Sequence, residues 1–133
     1  MYKKEYFVTL PDSDAAGILF FGNYLKLAHV LYEEFMAEIG FSLRYIIDKA
    51  EFLVLIVHSE ADYKKSLYLG DTYSLGLTVS QIGNSSFELS YKFTNAESTI
   101  IAEVKTVHVV VSKKSKKAIR VPETLKEQLA KFQ

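Results

Sequence analysis

The sequence predicts an α+β fold in which a curved, mainly antiparallel sheet wraps around one long helix. Three observations carry this expectation. Apolar side chains recur at helical spacing in one long stretch: Tyr24, Leu27, Ala28, Leu31, Phe35 and Ile39. Three long runs between Thr72 and Ser112 alternate apolar with polar residues, the period of a half-buried strand. Short turn segments at Gly83-Asn84 and Asn95–Ser98 join those runs, and hairpin connections make neighbouring strands antiparallel.

The elements follow in order. Residues 4–10 read as a first strand, with Tyr6, Val8 and Leu10 alternating against Phe7 and Thr9, and Pro11 ends it because proline cannot donate to a ladder. A loop at 12–22 precedes the long helix, with Asn23 expected as its N-cap and Gly40 as its stop. Ser42 opens a shorter helix, Leu43 to Lys49, with Leu43, Ile46 and Ile47 on one side. Phe52 to Val57 is apolar on both faces and reads as a buried strand, turning amphipathic from His58 to Tyr63. Strands 72–82, 86–94 and 100–112 follow, then a lysine-rich loop at 113–117. Pro122 suits the first turn of a last helix that places Leu125, Leu129 and Phe132 on one face.

Composition narrows the function classes. The 133 residues suit one domain, 1–133, and a hydrophobic fraction of 49% supplies its core. Sixteen basic and 16 acidic residues leave no net field, so neither nucleic acid nor an anionic membrane is an expected partner. The absence of cysteine excludes disulfides and thiolate chemistry and fits a reducing, cytoplasmic setting. The start of the chain has no apolar signal-peptide core, and Phe52–Val57 is too short to insert across a bilayer. His29, His58 and His108 show no metal-ligand spacing.

Residues 12–24, Asp-Ser-Asp-Ala-Ala-Gly-Ile-Leu-Phe-Phe-Gly-Asn-Tyr, hold the chemistry. Two carboxylates, Asp12 and Asp14, sit just before the positive end of a buried helix. That end carries unpaired N–H groups and suits an oxyanion, while a carboxylate beside it can serve as nucleophile or base. The bland alternative is that both aspartates cap turns with their own side chains.

The same 13 residues resemble the 4-hydroxybenzoyl-CoA thioesterase family of the hotdog fold. They follow its D-x-D-x-x-G pattern, continued by four apolar or aromatic positions and a further aromatic at Tyr24. The likeness extends through Ala61-Asp62-Tyr63 and Gly70-Asp71, and the element order agrees over about residues 4–130. The resemblance implies hydrolysis of an acyl-CoA thioester. It puts the catalytic carboxylate at Asp14 and the oxyanion donor at the backbone N–H of Phe21, helped by Gly22. Gly17 holds the turn, and Tyr24 closes the motif beside the substrate. It implies no cofactor, CoA being part of the substrate.

A narrower likeness points to the subgroup acting on 1,4-dihydroxy-2-naphthoyl-CoA, on the path to menaquinone or phylloquinone. It rests on His29-x-x-Tyr32-Glu33 and on Phe52-Leu-Val-Leu-Ile-Val-His58, close to F-x-L-P-L-V-H. The chain departs from that pattern at Val54 and Leu55, where no proline occurs, and at Gly22-Asn23.

Asp12 is expected to shape the loop by accepting backbone N–H bonds. His58 is either a hydrogen-bonded wall residue or a contact for an aromatic acyl group. His29 is expected to be structural, and His108 a packed or exposed strand residue. Of Glu33 and Glu34, at least one is expected to be solvated or paired with a lysine, and neither is assigned to chemistry. The lysines at 113–117 are a solvated turn or a contact for CoA phosphates. Strand 100–112 is apolar on both faces with one long helix to cover it, so a homodimer or homotetramer is expected. Alternatives to the aromatic thioesterase are a short- or medium-chain acyl-CoA thioesterase, a non-catalytic acyl- or CoA-binding module, and hydratase chemistry.

Overall fold

The computed structural model describes residues 1–133. Its elements run β1 (Tyr2–Phe7), α1 (Asn23–Glu38), α2 (Leu43–Asp48), β2 (Phe52–Tyr63), β3 (Thr72–Ile82), β4 (Ser86–Asn95), β5 (Ile100–Ser112) and α3 (Glu123–Ala130). The five strands form one sheet in the order β1-β3-β4-β5-β2, and every neighbouring pair is antiparallel. The chain thus has the mixed α+β architecture that its alternation predicts.

Side-chain parity decides which face meets the helix. Tyr73, Leu75, Leu77 and Val79 of β3, Phe87, Leu89, Tyr91 and Phe93 of β4, and Val104, Thr106, His108 and Val110 of β5 are all buried. Against this face lies α1, burying Tyr24, Ala28, Leu31, Tyr32, Phe35 and Met36. Ring contacts fix the packing, with Tyr24 at 5.0 Å from Phe93 and Tyr32 stacked on His108 at 4.6 Å. Phe132, just past α3, meets Phe35 at 5.0 Å and Tyr2 at 6.5 Å, sealing the β1 side of the core.

Several local expectations are corrected. The first strand ends at Phe7, and Leu10–Asp12 form a short 3-10 turn into which Pro11 fits. Asn23 is not the N-cap. It is the first residue of α1, follows Gly22 at the cap position, and donates from Nδ2 to the Asp12 carbonyl at 2.9 Å. Ser42 does cap α2, accepting from the Tyr45 N–H at 3.1 Å, but Ile47 points outward and only Ile46 is buried. Gly40 follows α1 with φ +91°, the left-handed conformation that ends helices.

Strand β2 differs most from expectation. Phe52 is buried, but Leu55, Ile56 and Val57 are exposed. The cause is topological, because β2 is an edge strand with only β5 beside it. A bulge between Ile56 and His58 leaves Val57 unpaired. No helix is long and apolar enough to cross a membrane.

Candidate active site

The 12–24 segment folds as a tight loop pinned to its surroundings by main-chain bonds. Asp14 N–H donates to the Ile18 carbonyl at 2.9 Å and Gly17 N–H to the Asp14 carbonyl at 3.0 Å, closing a turn over Ala15-Ala16. Gly17 has φ +75°, where a β-carbon is strained even though nothing crowds it. Its carbonyl accepts from Leu69 N–H at 2.9 Å, and Leu19 N–H donates to the Leu67 carbonyl at 2.8 Å. The loop therefore rests on residues 67–69.

The two carboxylates divide their work differently from expectation. Asp14 is the one that accepts backbone bonds, through Oδ1, from Ala16 N–H at 2.8 Å and Ile18 N–H at 3.4 Å. Asp14 Oδ2 receives no hydrogen bond from the chain. Asp12 instead pairs with side chains: Lys26 Nζ lies 2.5 Å from Oδ1 and Thr9 Oγ1 donates to Oδ2 at 3.2 Å. The carbonyl of Asp12 ties the loop to the helix, accepting from Phe20 N–H at 3.0 Å and from Asn23 Nδ2.

With Phe20 and Asn23 so occupied, the N–H groups of Phe21 and Gly22 donate to no group of the chain. They lie at the positive end of α1, where the first N–H groups lack helical partners. Tyr63, at the end of β2, reaches this point and donates from its hydroxyl to the Phe21 carbonyl at 3.2 Å. The Phe21 ring is 62% exposed and meets Phe20 at 4.6 Å and Tyr63 at 6.3 Å between ring centres. Phe7, Leu10, Phe20, Tyr68 and Leu69 are also exposed around the loop or beside it in sequence, an unusually apolar surface for a carboxylate loop.

Two residues expected at the substrate, Tyr24 and His58, sit in different surroundings. Tyr24 is 3% exposed, its ring filling the core between Tyr63 and Phe93, and burial raises its phenol pKa. The helical register turns its ring inward. His58 follows the β2 bulge and pairs with Val107, on the sheet face turned away from α1. It is exposed, with Nε2 at 3.2 Å from Glu60 Oε1. Gly22 has helical dihedrals, and a β-carbon there would meet the exposed Phe20 ring at 2.8 Å.

A cleft of about 280 Å³ opens beside α1, between that helix and β2. Leu25, Lys26 and His29 form one wall, Ile56 and Ser59 the other, and Tyr91 and Thr106 also line it. Leu25 and Lys26 lie about one helical turn, roughly 5 Å, beyond the free N–H groups. Lys26 joins the two regions directly, since it lines the cleft and pairs with Asp12. His29 Nδ1 is 3.6 Å from Glu33 Oε1, while Glu34 accepts from the Tyr6 hydroxyl at 3.2 Å, so neither glutamate is paired with a lysine.

Beneath the cleft, Tyr91 Oη lies 3.1 Å from Thr106 Oγ1, which lies 2.8 Å from His108 Nε2. The His108 ring is fully buried between Tyr32 and Phe87, and desolvation pushes its pKa down to about 3. Alternation made Tyr91 a core residue, so its hydroxyl was missed. The available signal was Thr106 and His108, two polar residues in register with Val104 and Val110.

Comparison with known proteins gives the family. The model of the thioesterase-like superfamily matches residues 8–129. A 1,4-dihydroxy-2-naphthoyl-CoA hydrolase of Rippkaea orientalis is 32% identical over 124 residues, covering 92% of this chain and 90% of that protein. The crystal structure of a 1,4-dihydroxy-2-naphthoyl-CoA thioesterase from Synechocystis superimposes with a TM-score of 0.90 at 27% identity, covering 97% of this chain and 95% of the other. A gentisyl-coenzyme A thioesterase superimposes with a TM-score of 0.83 at 26% identity, covering 96% and 98%. The family match spans the Asp14 loop, the long helix and strands β2 to β5, and the chain belongs to the thioesterase-like superfamily, with the hotdog fold.

Proposed function

We propose that this protein hydrolyses the CoA thioester of a hydroxylated aromatic acid, with 1,4-dihydroxy-2-naphthoyl-CoA as the leading substrate. Thioester hydrolysis is the activity of its family and of the relatives that match along its length. The aromatic acyl group follows from the naphthoyl and gentisyl substrates in those relatives' names, and from the 280 Å³ cleft beside the helix entrance. With the naphthoyl substrate the reaction lies on the path to menaquinone or phylloquinone.

The observation that carries the mechanism is the pairing of a free carboxylate oxygen with free N–H groups on one loop. Asp14 is held by Oδ1, and its Oδ2 is left for chemistry. In the proposed step, the thioester carbonyl oxygen accepts from Phe21 N–H, assisted by Gly22 N–H. Asp14 Oδ2 either attacks the carbonyl carbon or takes the proton of a water that does. Negative charge grows on the carbonyl oxygen at the helix end, where backbone dipoles stabilise it. The C–S bond then breaks and CoA leaves as a thiolate, which needs no strong acid because a thiol is far more acidic than an alcohol. On the nucleophilic route a water then hydrolyses the acyl anhydride formed with Asp14, releasing the acid and restoring the carboxylate. On the general-base route the proton taken by Asp14 passes to the departing thiolate or to solvent. Neither route calls for a cofactor.

The assembled form is proposed as a homodimer or homotetramer. The open edge of β2 and the apolar surface around Phe21 and Tyr63 support it. In such an assembly His58, exposed on the sheet face turned away from α1, would meet an acyl group bound by the second copy. A cytoplasmic location is part of the same reading, and cell fractionation tests it.

The decisive experiment is thiol release from a panel of hydroxynaphthoyl-, hydroxybenzoyl- and straight-chain acyl-CoAs. The highest kcat/KM is expected with a hydroxylated aryl thioester. Preference for a short or medium chain would replace the aromatic reading, and binding without hydrolysis would make the protein an acyl-binding module.

A further inference from the structure

We propose that the Tyr91–Thr106 hydroxyl pair is the element of this site that reads an oxygen substituent on the acyl ring, with His108 as its positioning residue. The inference rests on the aryl thioesterase reading and adds the groups that select the ring.

The starting point is an imbalance in the core. The inner face of β4 and β5 is otherwise apolar, carrying Phe87, Leu89, Phe93, Val104 and Val110. Three polar groups are buried among these residues, and burial of a polar group is costly unless it is hydrogen-bonded. Tyr91 Oη, Thr106 Oγ1 and His108 Nε2 satisfy one another at 3.1 and 2.8 Å, but His108 Nδ1 is buried with no partner.

Counting hydrogens shows what is left over. The two hydroxyls and a neutral imidazole carry three N–H or O–H hydrogens, and the chain has two hydrogen bonds to fill. If the bonds run from Tyr91 through Thr106 to His108, the spare hydrogen sits on Nδ1 as a buried, unpaired N–H. Orphaned buried N–H groups are rare in folded proteins. If Nε2 carries the imidazole hydrogen instead, Nδ1 is only a bare acceptor. The spare hydrogen then belongs to Tyr91 or to Thr106, both of which line the cleft. His108, clamped between Tyr32 and Phe87, holds Nε2 toward Thr106, and the Nε2–H tautomer is the one that leaves no buried N–H without an acceptor.

The cleft therefore combines apolar walls at Leu25 and Ile56 with an unspent donor. It begins about one helical turn, roughly 5 Å, from the Phe21 and Gly22 N–H groups. An acyl group whose carbonyl sits at those N–H groups can extend along α1 into it. A cavity of about 150 Å³ suffices for a benzene ring, so about 280 Å³ leaves room for a fused ring and its substituents. The matching ligand is a flat arene bearing an acceptor oxygen, such as a ring hydroxyl or its phenolate, separate from the thioester carbonyl.

The test compares kcat/KM for the hydroxy-2-naphthoyl-CoA isomers with that for 2-naphthoyl-CoA. The wild type is expected to favour its best hydroxylated isomer by at least ~10-fold, since a site built around a hydrogen bond rejects an analogue lacking it. Tyr91→Phe and Thr106→Val are each made, with melting temperatures recorded. Loss of the reading group is expected to bring the ratio at least ~5-fold closer to one in one or both variants. A general packing defect lowers both substrates together and leaves the ratio unchanged, which overturns the proposal. So does a wild type that hydrolyses both thioesters equally well, although thioester hydrolysis itself then stands. A wild type inactive on every aryl-CoA removes the aryl reading and this inference with it. A wild-type ratio of one overturns the proposal without any variant, and Thr106→Ala is measured in the same way should Thr106→Val or Tyr91→Phe fail to fold.

Discussion

Asp14 and Asp12 are two residues apart, yet the loop gives them different partners. Asp14 uses Oδ1 for the backbone of its own turn and keeps Oδ2 free, whereas Asp12 is committed to Lys26 and Thr9. Asp14→Asn retains the shape and an amide oxygen for Ala16 N–H but removes the charge. Turnover on an aryl-CoA is expected to fall by at least ~100-fold, the low end for losing a positioned acid–base group. KM is expected to change little, since the proposed oxyanion donors are backbone. Asp12→Asn weakens an ion pair with a half-exposed lysine, so its effect is expected to be smaller. Steady-state thiol release from both variants decides the matter, and a dead Asp12→Asn beside an active Asp14→Asn would reverse the assignment. At this scale the motif and Gly17's turn were legible, because a left-handed glycine after a carboxylate leaves a local signature. The partner of each carboxylate was not, because Lys26 lies 14 positions downstream of Asp12 and approaches only once the helix docks.

The elements show the same division between local and distant causes. Alternation located β3, β4 and β5, with β5 found at its observed limits, because each strand's parity is written in its own residues. The exposure of β2 depends on its being last in the sheet, which hairpin reading does not determine. The lysine loop after β5 is a smaller instance. Lys113 is not simply solvated: its Nζ donates to the carbonyls of Ile46 at 2.5 Å and Ile47 at 2.9 Å, near the C-terminal end of α2. A cation there meets the helix's partial negative charge and otherwise unpaired carbonyls. Lys113→Met is expected to destabilise the fold by about 1 kcal/mol, the usual value of such a bond, while leaving KM for an acyl-CoA unchanged. Urea unfolding and steady-state kinetics on the one variant check both parts. A raised KM with unaltered stability would return Lys113 to the list of CoA contacts.

Two properties belong to the whole molecule. The first is acid sensitivity. His108 is held neutral by burial, with its pKa down at about 3, while in the unfolded chain it titrates near the ordinary 6.5. Below that value the unfolded state binds the extra proton, so stability is complete above about pH 6.5 and declines as pH falls toward 3. Between pH 7 and pH 5 this one group is expected to remove about 2 kcal/mol. His108→Phe, which keeps a ring between Tyr32 and Phe87, should lose less stability over that interval than the wild type in urea titrations. Equal losses would mean that His108 does not control the acid limb.

The second is assembly, which follows from how the sheet distributes its apolar surface. Its outer face is polar on β4, at Glu88, Ser90 and Lys92, but apolar toward the β2 edge, where Leu53 pairs with Val111 and Leu55 with Val109. The 12-residue β2 edge has no strand beyond it, and long apolar edges invite pairing unless charge or a covering element blocks them. Sequence inspection pointed to a second subunit through the two-faced β5, and the structure moves the open surface to β2 and the outer ends of these pairs. The wild-type chain is therefore expected to sediment at twice its 15.1 kDa mass or more at micromolar concentration. Leu55→Lys combined with Val57→Lys places two charges on the exposed edge and should yield a folded monomer. If the acyl site is completed across that edge, the monomer should also lose aryl-CoA hydrolysis while keeping the far-ultraviolet circular dichroism of the parent. A wild type that sediments as a monomer would remove the assembly, and a fully active monomeric variant would confine the site to one chain.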